Sequence, residues 1–532
     1  MCRGRGSRPE KHIRPRANTV RPYKGCIYLT NLLEYLESAA ERFPDKLAFA
    51  DVNDRVTFAE LRDLSQQLGA VIASQVNETC RPIAVLTTHT VADVVAFMAA
   101  LYAGCFYVPI DGAAPEAHIA ARLEAINPAM VIRAKTISEL PICDKAPFNK
   151  GGVPQERGIF IENPQSANAD SSLVKGAFKT APAYAIFTSG STGTPKAALI
   201  SHESVINLIE WMCDEFGFNE RTVFAGQAPF YFDSSVQELY STLKAAATTH
   251  LFPRKYFISP LKVLKMVDEV GANVMPWAAA AIKLIANSGA FEKYVPSVVA
   301  NVIFGGENMP AKILNIWRGA MPNTQFTNVY GPTETTVDCS YYTVERDLDD
   351  SESVPIGFPV RNTELLLLDE EFNPTPPNEP GELYVRGIQV GLGYYNNPER
   401  TNEVFLQSDG GLMYKTGDIV KLNELGELVF LARADNQVKH MGSRVELGEV
   451  ETAAAAVAGV RLVCCSYDKE KAKILMFFEG DVSEKELSKE LNAKLPRYMQ
   501  PNFVAKVDKM PAMSNGKIDR ITVRRVHYDE NQ

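Results

Sequence analysis

Thr188 to Lys196 reads TSGSTGTPK and follows the apolar run Ala183–Phe187. A short buried strand that runs into a glycine-rich turn gathers main-chain amides at the end of the strand. Gly190 and Gly193 let those amides approach an anion with no Cβ in the way. Thr188, Ser189, Ser191, Thr192 and Thr194 add hydroxyls, and Lys196 adds a positive charge. Such a loop cradles phosphate. Two other loops are excluded. A Walker A loop has Gly just before its Lys and Ser/Thr just after it, where this chain has Pro195 and Ala197. The hydrolase elbow GxSxG needs glycine where Ser189 stands.

On both sides of this loop the chain alternates helical and strand-like stretches from about Thr30, which predicts α/β architecture. Leu32 to Arg42 has helical apolar spacing, Ile83 to Leu86 reads as a buried strand, and Val91 to Leu101 reads as an apolar helix. Residues 143–181 are polar and rich in Gly, Pro, Asn and Ser, and read as a loop. After the strand Ala197–Ile200, Ser201 is placed to cap a helix whose buried stripe is Val205, Leu208, Ile209 and Met212. Asn373 to Gly381 (NPTPPNEPG) is a turn cluster between strands. The best domain boundary is near Asp435, with about a hundred residues beyond it, enough for a small domain.

Composition narrows the classes. At 532 residues, two or three domains are expected. No run of eighteen apolar residues occurs, so no membrane span is expected. Nine cysteines without a CxxC pair argue against a zinc site or a disulfide scaffold, and fit reduced thiols in the cytoplasm. Residues 1–25 carry eight Lys/Arg and one acid, a local +7 against a formal total of −9, which leaves −16 on the remainder. An acidic body does not suggest nucleic acid as a partner. The basic segment, residues 1–27, reads as a disordered tail. An anchor for anionic surfaces is the alternative.

Further motifs follow in order. Asn328 to Thr336 reads NVYGPTETT, Tyr414 to Val420 reads YKTGDIV, Leu431 to Arg444 reads LARADNQVKHMGSR, and Asn515 to Arg520 reads NGKIDR. From about residue 30 to 525 this series resembles the adenylate-forming superfamily. That superfamily includes acyl-CoA synthetases, firefly-type luciferases, nonribosomal peptide adenylation domains and D-alanine–D-alanyl carrier protein ligases. Ala197 and Ala432 stand where the family usually has glycine.

The resemblance implies a large N-terminal AMP-binding core, residues 28–434, and a small mobile α+β domain, residues 435–532. It implies ATP and Mg²⁺. Tyr330 would stack on adenine, with Asn328, Gly331, Gly305, Gly306 and Glu307 around the nucleotide. Thr188 and Thr333 would touch phosphate beside Ser189–Thr194 and Lys196, and Glu334 would hold magnesium. A hard carboxylate oxygen suits that ion. Asp418 would accept both ribose hydroxyls, with Arg433 as a second contact. Asp435 would be the hinge between domains. Lys517 would be the catalytic lysine, bridging two anions as the carboxylate attacks the α-phosphate. Lys439, Gly442 and Arg444 would face the site after the small domain swings.

Phe232 to Val236 reads FDSSV, where amino-acid-activating members place an aspartate for the substrate α-ammonium. Asp233 therefore points to an amino acid. A helix N-cap is the plain alternative. The stretch QAPFYFDSSVQELY is similar to the D-alanyl ligase branch, although that branch has a cysteine in the segment matched by Ile303–Glu307, where Gly305 would leave more room. Ser234, Gln237, Pro276, Trp277, Ile303, Val329, Val337 and Asp338 complete the expected side-chain pocket. Asp338 either meets a polar group of the substrate, turns outward, or pairs internally. Fifteen residues follow Lys517, so a separate phosphopantetheinylated carrier protein is the expected acceptor. The expected activity is amino acid adenylation and transfer to that carrier. An acyl- or aryl-CoA ligase and a catalytically silent nucleotide-binding paralogue are the alternatives.

Overall fold

The computed structural model describes residues 31–76, 78–141, 159–160, 179–188, 195–433, 437–440, 443–511 and 518–531. Local signals in the sequence set the element ends. The Phe58–Gln75 helix opens on a capping box, in which Glu60 N–H donates to Thr57 Oγ1 at 3.2 Å and Thr57 N–H donates to Glu60 Oε2 at 2.8 Å. Ser201 caps the His202–Phe216 helix by accepting from Ser204 N–H at 3.1 Å, and Gly217 ends it in the left-handed conformation. The Val91–Tyr102 helix is apolar around its whole circumference and is buried almost throughout.

Among the described residues the N-terminal core is built on three sheets. The first has nine strands. Its central strands Val223–Gly226, Val274–Ala278, Asn301–Gly305 and Gln325–Tyr330 run parallel, and the antiparallel Ser340–Thr343 strand flanks them. The second has seven strands and includes Phe106–Asp111, Pro182–Thr188 and Lys196–Ser201. The phosphate-loop motif thus sits between two antiparallel neighbours, with Thr188 opposite Lys196. Helices packed between the first two sheets bury the largest apolar cluster, to which Leu36, Phe97, Leu208 and Tyr240 belong. The third sheet pairs Gly381–Gly387 with the long Gly411–Leu422 strand, and Leu428–Arg433 pairs with that strand so that Asp418 faces Arg433.

The small C-terminal domain has its own core. A hairpin, Gln437–His440 with Ser443–Glu446, precedes the sheet formed by Val460–Asp468, Lys473–Gly480 and Phe503–Lys506. Helices Leu447–Ala455 and Glu484–Lys494 pack on it through Val450, Leu487 and Leu491, all fully buried. The expected hinge at Asp435 lies outside the described residues. Within the stretch read as a loop, Ile159–Phe160 adds a short antiparallel strand next to Met130–Ile132, an element too brief to show a periodicity. Among the described residues no helix is long and apolar enough to cross a membrane. Cys105, Cys213, Cys339, Cys464 and Cys465 are free and buried.

Candidate functional site

The carboxyl ends of the parallel strands in both large sheets open onto one cavity of about 140 Å³. Thr188 closes one strand of the second sheet there. Pro276, Trp277, Ile303, Gly305 and Val329 come from strand ends of the first sheet. Asp418 and Arg433 arrive from the third sheet, and Lys439, Tyr498 and Met499 arrive from the small domain.

One end is tightly paired. Arg433 donates from Nη1 to Asp418 Oδ1 at 2.7 Å, with side chains only 11% and 4% exposed. The Tyr330 hydroxyl donates to Asp418 Oδ2. A carboxylate offers about four lone pairs, so two protein donors leave capacity for a vicinal diol. Lys439 sets its ammonium 5.6 Å from the Tyr330 ring centroid.

The middle is built for an anion. Thr188 is buried, and its hydroxyl has no partner among the described residues. A buried hydroxyl without a partner is costly and fits a bound oxyanion. Lys196 is buried opposite it, with its ammonium 5.3 Å from the Tyr394 ring centroid. The Tyr394 hydroxyl donates at 2.6 Å to Glu334 Oε1, and this carboxylate is fully buried. Thr333 and Gly331 line the cavity beside it. Lys196 lines a second recess with Tyr394 and Arg433; these hydroxyls and this cation suit phosphate, and Glu334 has the hard oxygen that Mg²⁺ takes. Ser189–Thr194 and Lys517 lie outside the described residues.

The third part holds two carboxylates. Asp233 and Asp338 both line the cavity with Ser234, Gln237 and Val337. Asp233 is not the cap of the next helix. That helix, Ser235–Ala245, has Ser234 at its N-cap, and the Thr333 hydroxyl donates to the Asp233 carboxylate. Burial pushes the Asp233 carboxyl up, and Glu334 adds to the rise while Thr333 and Lys439 oppose it. Asp338 is buried, accepting from Gln237 Nε2 at 2.7 Å. Burial, then repulsion from Asp233, pushes its carboxyl up to about 8. The outward orientation left open for Asp338 is thereby excluded.

The backbone under Asp338 is strained. Thr336 and Val337 have φ of 55° and 67°, which β-branched residues rarely adopt. Asp338 N–H donates to Thr336 O at 2.8 Å across Val337, the bond of a tight γ-turn. Gln389 holds this turn from below. Its Nε2 donates to Asp338 O at 2.9 Å, Thr336 Oγ1 donates to Gln389 O at 2.7 Å, and Asn207 Nδ2 donates to Gln389 Oε1 at 2.9 Å. Gly331 lets the turn come close, since a Cβ there would lie 2.2 Å from Val337 O.

Some expected positions take other roles. Asn328 donates from Nδ2 to Pro355 O at 2.8 Å and does not line the cavity. Glu307 pairs with Lys283 at 2.8 Å, while its neighbours Gly305 and Gly306 do line the cavity. Gly305 does not add room to the pocket, because a Cβ there would lie 2.4 Å from Val329 O on the paired strand. Sequence reasoning missed Gln389, Asn207 and Tyr394, and also His118 and Arg122. The last two line the opposite wall. The Arg122 guanidinium lies 5.3 Å from the Phe187 ring centroid. Burial, with Arg122 beside it, pushes His118 down to about 3. The pair Tyr394–Tyr395 after Gly393 was a visible signal, whereas lone Gln, Asn, His and Arg residues carry none.

Over residues 36–395 the sequence matches the AMP-binding enzyme family. The chain belongs to this family. It is 30% identical over 491 residues to gramicidin S synthase 2 of Brevibacillus brevis, covering 90% of this chain and 11% of that protein. It is 28% identical over 518 residues to tyrocidine synthase 1 of Brevibacillus parabrevis, covering 94% and 45%. The chain therefore spans less than half the length of these relatives. Its fold is that of the adenylation domain AlmE of Vibrio cholerae, solved in complex with glycyl-adenosine-5′-phosphate, with TM-score 0.77, 20% identity, and 95% and 99% coverage. The same fold occurs in o-succinylbenzoate CoA synthetase of Bacillus subtilis, with TM-score 0.77, 19% identity, and 93% and 98% coverage. As an AMP-binding enzyme, the chain is a member of the adenylate-forming superfamily.

Proposed function

We propose that this enzyme activates an amino acid with ATP as an aminoacyl-adenylate and passes the acyl group to the phosphopantetheine thiol of a carrier protein. The observation that carries this reading is Asp233, a half-buried carboxylate that lines the cavity and accepts from Thr333 of the nucleotide motif. A fatty or aryl acid offers it no cation, and an unbalanced buried carboxylate is costly. An α-ammonium offsets that cost and sets the substrate carboxylate toward the phosphates. The related gramicidin S and tyrocidine synthases support the same reading.

In this scheme Asp418 and Arg433 hold the ribose, Tyr330 backs the base, and Thr188, Thr333 and Lys196 hold the phosphates with Ser189–Thr194. Magnesium, when bound at Glu334, neutralises phosphate charge. Lys517 bridges the attacking carboxylate and the α-phosphate, pyrophosphate leaves, and a rotation about Asp435 lets the domain of residues 435–532 exchange its face. The hairpin that brings Lys439 into the cavity suits the second, thiol-accepting stage.

ATP–pyrophosphate exchange with L- and D-amino acids, and with fatty and aryl acids, tests the first step. Transfer to free pantetheine tests the second. Amino-acid-dependent exchange is expected. Exchange only with fatty or aryl acids would replace the reading with an acyl-CoA ligase, and ATP binding without exchange on any acid would leave a silent paralogue.

A further inference from the structure

The side-chain end of the cavity brings together two carboxyl groups, one more than the α-ammonium of an ordinary amino acid can meet. Asp233 and Asp338 face the same small space and repel each other. The α-ammonium of a substrate neutralises one carboxylate. The second stands among Ile303, Val329 and Val337, which offer it nothing. Gln237 engages one oxygen of Asp338 at 2.7 Å and fixes the plane of the carboxylate. Tyr184 adds to the unsatisfied polarity of this region. Its side chain is fully buried, its hydroxyl has no partner among the described residues, and it lies within electrostatic reach of both Asp233 and Asp338.

We infer that the substrate is a diamino acid, and that Asp338, oriented by Gln237, recognises the ammonium group of its side chain. The inference rests on the amino-acid reading above and narrows it. A neutral apolar side chain would leave the Asp338 carboxyl protonated and give it no partner from the ligand. An acidic side chain would bring a third carboxyl group against Asp233 and Asp338. An ammonium satisfies Asp338 with a charge-assisted hydrogen bond and leaves the apolar walls to pack the methylenes.

The test is pyrophosphate exchange on isosteric pairs, in which ammonium replaces methyl. The pairs are 2,3-diaminopropionate with 2-aminobutyrate, 2,4-diaminobutyrate with norvaline, and ornithine with norleucine. In the wild type at least one diamino acid should exceed its neutral partner by about 100-fold in kcat/KM, since a site built to hydrogen-bond a polar group rejects the analogue that lacks it. Asp338→Asn should cut that ratio by about 30-fold or more. The wild-type ratios need no variant to fold, and thermal melting of Asp338→Asn separates lost recognition from lost structure. Preference for the neutral member of every pair overturns the inference and leaves amino acid activation standing. An Asp338→Asn ratio equal to the wild-type ratio also overturns it. Exchange confined to fatty or aryl acids overturns both readings together.

Discussion

The two ends of the cavity hold carboxylates in opposite conditions. Asp418 is met by Arg433 and by the Tyr330 hydroxyl before any ligand arrives. Asp233 and Asp338 face each other, and the side chain that donates to Asp338 is the neutral amide of Gln237. The Asp418 end is thus pre-organised. The acid end stores unfavourable electrostatics that the right substrate relieves. Differential binding of this kind separates substrates by what the empty site lacks.

The largest effect is expected at the phosphate that the proposed first step attacks. Lys517→Ala should slow adenylate formation by about 10²–10³-fold and spare thioester formation from a supplied aminoacyl-adenylate. An equal fall in both half-reactions would remove the assigned role. Next comes Asp418→Ala, which leaves the Arg433 guanidinium without its partner. It should lower kcat/KM for ATP by about 100-fold, by the same factor for every acid tested. A factor that varies with the acid would mean the two ends are not separable.

Asp338→Asn probes the other end without ATP. The Asp338 carboxyl sits at about 8 in the fold against an ordinary value below 4. Between these values the folded chain keeps a proton that the unfolded chain has lost, so this group costs stability as pH rises and the loss ends near pH 8. The slope is at most about 1.4 kcal/mol per pH unit. Between pH 6 and pH 7 the urea midpoint should therefore fall less in Asp338→Asn than in the wild type. Parallel behaviour would mean that Asp338 is ionised throughout. The smallest effect is expected from removing residues 1–27, which should change stability by no more than about 0.5 kcal/mol and leave exchange unaltered. A larger loss would mean that the basic segment docks on the acidic body.

Much of the nucleotide end was legible because its residues occur in ordered motifs with distinctive spacing. Thr188, Thr333, Asp418 and Arg433 all reach the cavity. The helix after Ser201 and the strand before Thr188 were legible from capping and apolar pattern. The acid end was legible only in part. Asp233 and Asp338 were singled out, but the alternative roles of cap and outward charge could not be separated without knowing where Ser234 and Gln237 point. Gln389 and Asn207 act through contacts between residues up to 182 positions apart, and such contacts leave no local trace in the chain. Gly305 misled for a related reason. Its open side is filled by Val329 on a neighbouring strand, which register alone reveals.

The left-handed turn at Thr336 and Val337 has a consequence for how this pocket can change. The side chains that hold the turn belong to Thr336, Gln389 and Asn207, and Asp338 takes part only through its main chain. The support would survive any residue at 338 that tolerates the same backbone. Frame and selector are thus inherited separately. A lineage could exchange the chemistry at this one position, trading one diet for another, while the scaffold that presents it stays untouched.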